Sequence, residues 1–245
     1  MRNYLMKTRQ KLIGEGNLKR YLIFGIGEAL LVTIGILLAL QVDNWNELRK
    51  EKFEEKEVYE NLLSTLKKDS VELVNILSSQ NKSLEKQRLV IQSNFSILKD
   101  SMSIEEINQL LLDICNGIFS FFPRYGTYNS ILSNNGLDII KSNEIKTLTI
   151  DLYDYECQRY ENMDKIIDHK FQFELIPFMN RELDFFWNGK GISNKVNMEF
   201  LERKYNELIL ACRDEYGVLS NGIDALIDLQ KSINKLIILI NEELK

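Results

Sequence analysis

The 245-residue sequence is poor in the residues that punctuate and staple small folds: two prolines, 12 glycines, three cysteines and a single histidine. So few prolines and glycines starve the turns that a sandwich or barrel of many short strands needs, which makes a helical protein the default. Cys115, Cys157 and Cys212 are odd in number and widely spaced, so they read as small buried residues and not as a disulfide framework. No nucleophile, metal or nucleotide motif stands out beside the one histidine, His169. The pair Gly25-x-Gly27 lacks the third glycine of a dinucleotide fingerprint and lies inside an apolar run. An enzyme is therefore the weakest expectation, and no cofactor is expected. What remains, 44% apolar and 27% charged residues, is the composition of one ordinary globular domain with an attachment.

The attachment is the run from Tyr21 to Val42, whose one ionisable group is Glu28, with Gln41 near its far end. At about 1.5 Å per residue such a run crosses a hydrocarbon core of roughly 30 Å. Tyr21 on one side and Asn44 and Trp45 on the other suit the membrane–water interface. No small-x-small cleavage site follows the run, so an uncleaved anchor is expected over a signal peptide. Arg2, Lys7, Arg9, Lys11, Lys19 and Arg20 face only Glu15 and Glu28 in residues 1 to 42, leaving the remainder 25 basic and 34 acidic groups, a net of −9. This bias predicts a cytoplasmic N-terminus over 1–20, a span over 21–45 and an exported body over 46–245, at a bacterial inner membrane with the body in the periplasm. A net-acidic body without a basic patch is not a nucleic-acid binder.

Beyond Trp45 the pattern predicts an all-α fold: the membrane helix continues into a long stem, and an antiparallel bundle of five or six helices follows. Tyr59, Leu62, Leu63, Leu66, Leu73, Val74 and Leu77 form the stem's apolar stripe. Ser103-x-x-Glu106 is a capping box with Met102 and Ile107 as its hydrophobic staple. A long helix opens at Asn143 and runs to about Leu175, before Pro177. The last stretch steps by threes and fours through Leu201, Tyr205, Leu208, Cys212, Tyr216, Leu219, Ile223, Leu226, Gln230, Ile233, Ile237, Ile240 and Leu244, with Gly217 and Gly222 as possible breaks. Its seam requires a partner, for which the stem is the natural candidate.

A carboxylate at membrane depth costs several kcal/mol unless it faces protein or water, so Glu28 is expected in a helix–helix interface or a pore. Gly25, Ala29 and Thr33 form a small-xxx-small-xxx-small face, continued by Gly35 and Ala39, which predicts self-association. In the body, Asp154, Cys157, Glu161, Asp164 and Asp168 share one helix stripe. The Glu-x-x-His of a paired-metal bundle is missing, so the stripe reads as a solvated acidic face. Two aromatic segments, Phe119–Tyr128 with Phe121, Phe122 and Tyr125, and Phe185–Gly189 with Phe186 and Trp187, are candidate partner-binding surfaces or plugs for the bundle ends.

Two stretches carry a resemblance. The span and its exit, from Tyr21-Leu-Ile-Phe-Gly-Ile-Gly-Glu28 through Gly35-Ile-Leu-Leu-Ala-Leu-Gln-Val-Asp-Asn-Trp-Asn-Glu47, resemble the N-terminal signature of a large family of uncharacterised single-span proteins from Bacteroidota. Thr127–Asn143 resembles that family's mid-chain segment, with Asn134-Asn135-Gly136 in place of its usual small-Gly-Gly turn. The resemblance implies architecture, not activity, and marks Glu28, Gln41, Asn44, Trp45 and Asn46 as membrane-edge positions. Under it, Asp69-Ser70-Val71 and Asp100-Ser101-Met102 also resemble the short acceptor motif for periplasmic O-glycosylation. The functional expectation is a membrane-anchored, oligomeric interaction or scaffold protein that meets the bilayer, itself and a further protein. The alternative is an oligomeric pore or membrane-depolarising defence effector lined by Glu28 and Gln41.

Overall fold

The computed structural model describes residues 18–187 and 195–245, and the side chains of these except those of 18–21 and 24. The chain is all-α, with a long apolar N-terminal helix followed by a helical bundle, and no strand occurs among the described residues. It divides into two compact units, one ending at Glu54 and one from Glu55 to Lys245. Helix α1 (Leu18–Gln92) enters both.

The second unit is an up-down-up-down bundle. Its first arm is the part of α1 beyond Glu54. The chain then returns along it through α2 (Phe95–Ser101), α3 (Ile104–Cys115), a tight turn (Asn116–Ile118), α4 (Tyr125–Ser133) and α5 (Gly136–Ile139). The pairing shows the direction: Lys82 meets Asp113 at 3.0 Å, Thr65 meets Thr127 at 2.7 Å, and Lys141 N donates to Glu55 at 2.7 Å. The third arm is an unbroken helical run of α6 (Asn143–Ile150), α7 (Cys157–Lys170) and α8 (Ile176–Glu182), joined by π turns at Asp151–Glu156 and Phe171–Leu175. It passes the expected stop at Pro177, because that proline falls in the first turn of α8, directly after a π turn has reset the ladder. Helix α9 (Met198–Glu243) runs antiparallel to it, as Lys204–Glu182 at 3.4 Å and Lys235–Glu144 at 2.8 Å show.

Local signals explain most boundaries. The capping box at Ser103 forms on both sides: Ser103 N donates to Glu106 Oε2 at 2.7 Å and Glu106 N donates to Ser103 Oγ at 3.3 Å. Asn94, Ser142 and Asn197 cap α2, α6 and α9. Asn135 sits at φ 53°, the left-handed region an asparagine tolerates, and turns the chain between α4 and α5.

Helix α9 is not broken at Gly217 or Gly222. Leu201, Tyr205, Leu208, Cys212, Glu215, Leu219, Gly222, Leu226, Leu229, Ile233, Leu236 and Ile240 are all buried, and their spacing alternates four and three without interruption. That is a 3.5-residue period held for the length of the helix, and its burial offsets the propensity cost of two glycines, about 1 kcal/mol each. Glu215 holds the seam position expected for Tyr216; Leu229 and Leu236 do so in place of Gln230 and Ile237. The seam lies mainly along the third arm, and the stem flanks the helix as well, with Tyr205 hydroxyl donating to Val90 O and Ser70 hydroxyl to Asn234 Oδ1, each at 3.4 Å. On the stem itself Val74 faces outward, and the buried row beyond Leu77 is polar: Gln80, Ser83 and Gln87.

Gly117 lies where the return arm crosses that row. A Cβ there would meet Phe171 Cζ at 2.6 Å and Ser83 Cβ at 2.9 Å. Both neighbours are fully buried and Ser83 is held by its bond to Ile114 O at 2.7 Å, so neither can retreat. Gly117→Ala is expected to destabilise the bundle by about 1–3 kcal/mol, seen as a lower urea midpoint for the full chain.

Candidate functional site

The loop between the turn at Asn116–Ile118 and α4 joins three arms of the bundle. Pro123 stops any helix here, so the loop's backbone groups need partners from elsewhere. Gln80 Nε2 donates to Phe119 O at 2.9 Å, and Phe121 N donates to Tyr160 Oη at 3.0 Å. The Arg124 guanidinium binds Asp69 and reaches Glu72 at 2.6 Å. Asp69 is 2% exposed. Burial raises its pKa, and the bonds from Arg124 oppose that.

Beneath the loop lies a ladder of tyrosines on carboxylates. Tyr128 donates to Asp154 at 2.9 Å, Tyr125 to Glu161 at 2.8 Å, and Tyr160 to Asp164 at 2.9 Å. Tyr128 stacks on Tyr153 with ring centres 4.6 Å apart and planes 12° from parallel, and Tyr125 leans on the same ring at 5.8 Å. Burial pushes the Tyr128 hydroxyl up to about 12 and Tyr125, Tyr153 and Tyr160 up as well. The Cys157 thiol is likewise pushed up to about 12, by burial first and by Asp69 second. At neutral pH these groups stay protonated, and Tyr125, Tyr128 and Tyr160 act as hydrogen-bond donors.

The acidic stripe is therefore not simply a solvated face. Three of its carboxylates accept tyrosine protons, and Asp168 accepts from Gln172. The sequence conceals this because the donors Tyr125 and Tyr128 lie across the bundle on α4. Their own spacing of three, facing carboxylates at 154 and 161, is the signal that was present. Among the described residues no group of three or more His, Cys, Asp or Glu is arranged to hold a metal ion.

The two aromatic segments meet. Phe119 and Trp187 rings lie 6.4 Å apart, and Trp187 N donates to Asn180 at 3.3 Å. Trp187 Nε1 is buried without a hydrogen-bond partner among the described residues. Of the residues expected to bind a partner, Phe121 is 1% exposed against Tyr160 and is a core plug, since burial leaves it no surface to offer. Tyr125 is half-buried and committed to Glu161. Phe122 and Phe186 face outward at 69% and 49% exposed, beside Phe119. Asn188 and Gly189, at the end of the second segment, lie outside the described residues.

In the first unit, α1 is long and apolar enough to cross a membrane, and none of its most apolar window is buried by the chain. Glu28, Ala29, Thr33, Ala39 and Gln41 are exposed, and a Cβ at Gly25, Gly27 or Gly35 would meet nothing within 4 Å. Thr33 returns its hydroxyl proton to Ala29 O at 2.9 Å. At about 100° per residue, Gly25, Glu28, Ala29, Gly35 and Ala39 fall within an arc of about 120°, whereas Thr33, about 40° beyond that arc, and Gln41 each lie about 140° round from Glu28, on opposite sides. Asn44 is exposed, and Trp45 carries the Arg49 guanidinium 5.7 Å from its ring centre. The side chain of Tyr21 lies outside the described residues.

A family model described as a family of unknown function (DUF6090) matches residues 28–175. No curated protein and no solved structure matches the chain.

Proposed function

This chain belongs to DUF6090, a family of unknown function, and we propose that it is a membrane-anchored, non-enzymatic interaction protein that self-associates through its apolar helix. The bundle stands in the periplasm of a bacterial inner membrane with the basic N-terminus in the cytoplasm, a topology supported by the charge bias across the apolar run. The observation that carries the reading is the contrast between the units. The bundle covers its own core, while the apolar window of α1 is left bare on every side. Lipid suits most of that surface, but it does not suit Glu28, which shares an arc with Gly25, Ala29, Gly35 and Ala39. A second helix placed there shelters the carboxylate and packs closely against the small residues. The outward aromatics Phe122 and Phe186 are where a further protein meets the bundle.

The pore reading asks Glu28 and Gln41 to face one lumen, and their separation of about 140° round the helix disfavours it. Light scattering on the detergent-purified full chain separates the two. A dimer or trimer is expected for the wild type, moving toward monomer in Ala29→Ile, which puts bulk on the small-residue face. A ring of five or more that falls apart in Glu28→Ala would establish the pore reading instead. A reporter fused after Lys245 that is active only in the cytoplasm would overturn the export of the bundle.

A further inference from the structure

Seven arginines have described side chains, and five of them are engaged. Arg49 lies over Trp45, Arg203 lies over Phe200, Arg124 holds Asp69 and Glu72, Arg159 meets Asp228, and Arg181 donates to Pro177 O. The remaining two, Arg88 and Arg213, have no partner among the described residues, and both line one recess of about 250 Å³ with Ile91, Gln92 and Tyr216. This is not what charge mixing gives in a body where acids outnumber bases. Glu85, one turn before Arg88, is drawn to Lys86 at 3.2 Å instead. Nor is Arg88 spent on the carbonyl end of α1. Ser93 N already donates to Leu89 O at 3.0 Å, and Tyr205 hydroxyl to Val90 O at 3.4 Å.

We infer that this recess is an anion site that takes a phosphate monoester group. Two guanidinium forks offer more charge-assisted donors than a single carboxylate can use, whereas a tetrahedral dianion has oxygens for both. The Gln92 amide and Tyr216 hydroxyl add neutral donors, and Ile91 with the Tyr216 ring gives an apolar wall for whatever carries the phosphate. A volume of about 250 Å³ is below that of a site for a whole drug-sized ligand and fits a headgroup-sized one. The nearest comparable groove, with Lys67, Lys68 and Arg124, differs because Asp69 and Glu72 already neutralise its arginine.

The phosphate has two sources, a soluble solute or a lipid headgroup, and the test keeps them apart. The full chain in phosphatidylcholine nanodiscs is titrated with inorganic phosphate by calorimetry. Saturable binding is expected, weakened at least tenfold in Arg88→Ala and in Arg213→Ala, and unchanged in the Lys67→Ala/Lys68→Ala pair. In a second arm, the same titration is run with separate protein-free vesicles containing phosphatidic acid added to the sample. Loss of the phosphate signal there, together with a thermal stabilisation absent from both arginine variants, assigns the site to the lipid. An undiminished signal assigns it to the solute. No binding in either arm, or an equal loss in the lysine pair, overturns the inference. Arg88 and Arg213 are exposed, so their variants test recognition and not folding.

Discussion

An Arg124→Ala variant is expected to lose about 3 kcal/mol of bundle stability, read as a fall in the urea midpoint of the full chain in mild detergent. Breaking a fully buried ion pair costs about 3–5 kcal/mol, because the orphaned charge has no water to return to. Arg124 is 43% exposed while Asp69 is 2%, which puts the loss at the low end of that range. The loss depends on pH. Burial already raises the Asp69 pKa above its ordinary value of 3.8, and removing the guanidinium takes away the main opposing influence. A carboxyl raised in the folded state is destabilising above its unfolded pKa, so the deficit of Arg124→Ala should shrink as the pH is lowered from 8 toward 5. Adding Asp69→Asn to Arg124→Ala should recover part of the loss at pH 8. A deficit below about 1 kcal/mol, or one that ignores pH, would mean that water reaches Asp69 and that the loop is held chiefly by Gln80 and Tyr160.

The largest gain is expected at Glu215. This residue is 1% exposed, its Oε2 has no hydrogen-bond partner among the described residues, and burial pushes its carboxyl up to about 8. Lys170 pulls the other way, while Glu174 and Asp214 push it further up. The folded state therefore keeps a proton that the unfolded chain, with an ordinary value of 4.5, has given up. Stability must fall as pH rises through the interval from 4.5 to about 8 and level off above it, with a total loss on the order of 4 kcal/mol. Glu215→Gln removes the titration at nearly constant shape. Its unfolding free energy should vary much less than that of the wild type from pH 5 to 9 and exceed it by several kcal/mol at pH 9. A wild-type midpoint that is itself flat over this range would refute the buried-acid account.

Glu215 also shows where the sequence stopped being readable. The last helix announces its seam through Leu201, Tyr205, Leu208 and Cys212, and the next step of three lands on a glutamate. Pattern reading expects no carboxylate inside a seam, so it steps to Tyr216; it regains register at Leu219 and slips by one residue again at Gln230 and Ile237. The stem fails for a related reason. Its apolar stripe is plain to Leu77, but beyond it the buried faces are Gln80, Ser83 and Gln87. Ser83, Gln80 and the neighbouring Ser79 serve carbonyls freed where the return arm breaks, Ser83 donating to Ile114 O at 2.7 Å, Ser79 to Asn116 O at 3.1 Å and Gln80 to Phe119 O at 2.9 Å, while Gln87 donates to Ser83 Oγ at 3.2 Å. A polar seam that serves another segment's chain ends has no periodic signature of its own. Signals made of neighbouring residues, the apolar run from Tyr21 and the capping box at Ser103, survive in the fold as read. The tyrosine–carboxylate ladder depends on residues up to 36 positions apart and was legible only as an acidic stripe and a separate aromatic segment.

The unbroken alternation of fours and threes in α9 restricts how that helix can change length. A single inserted or deleted residue turns everything beyond it by about 100°, which would swing Leu226, Leu229, Ile233 and Leu236 out of the core and charged residues into it. Seven residues return the helix to within about 20° of its starting face. Between Met198 and Glu243, changes of length are therefore restricted to whole heptads, each adding or removing two rungs of the core at once.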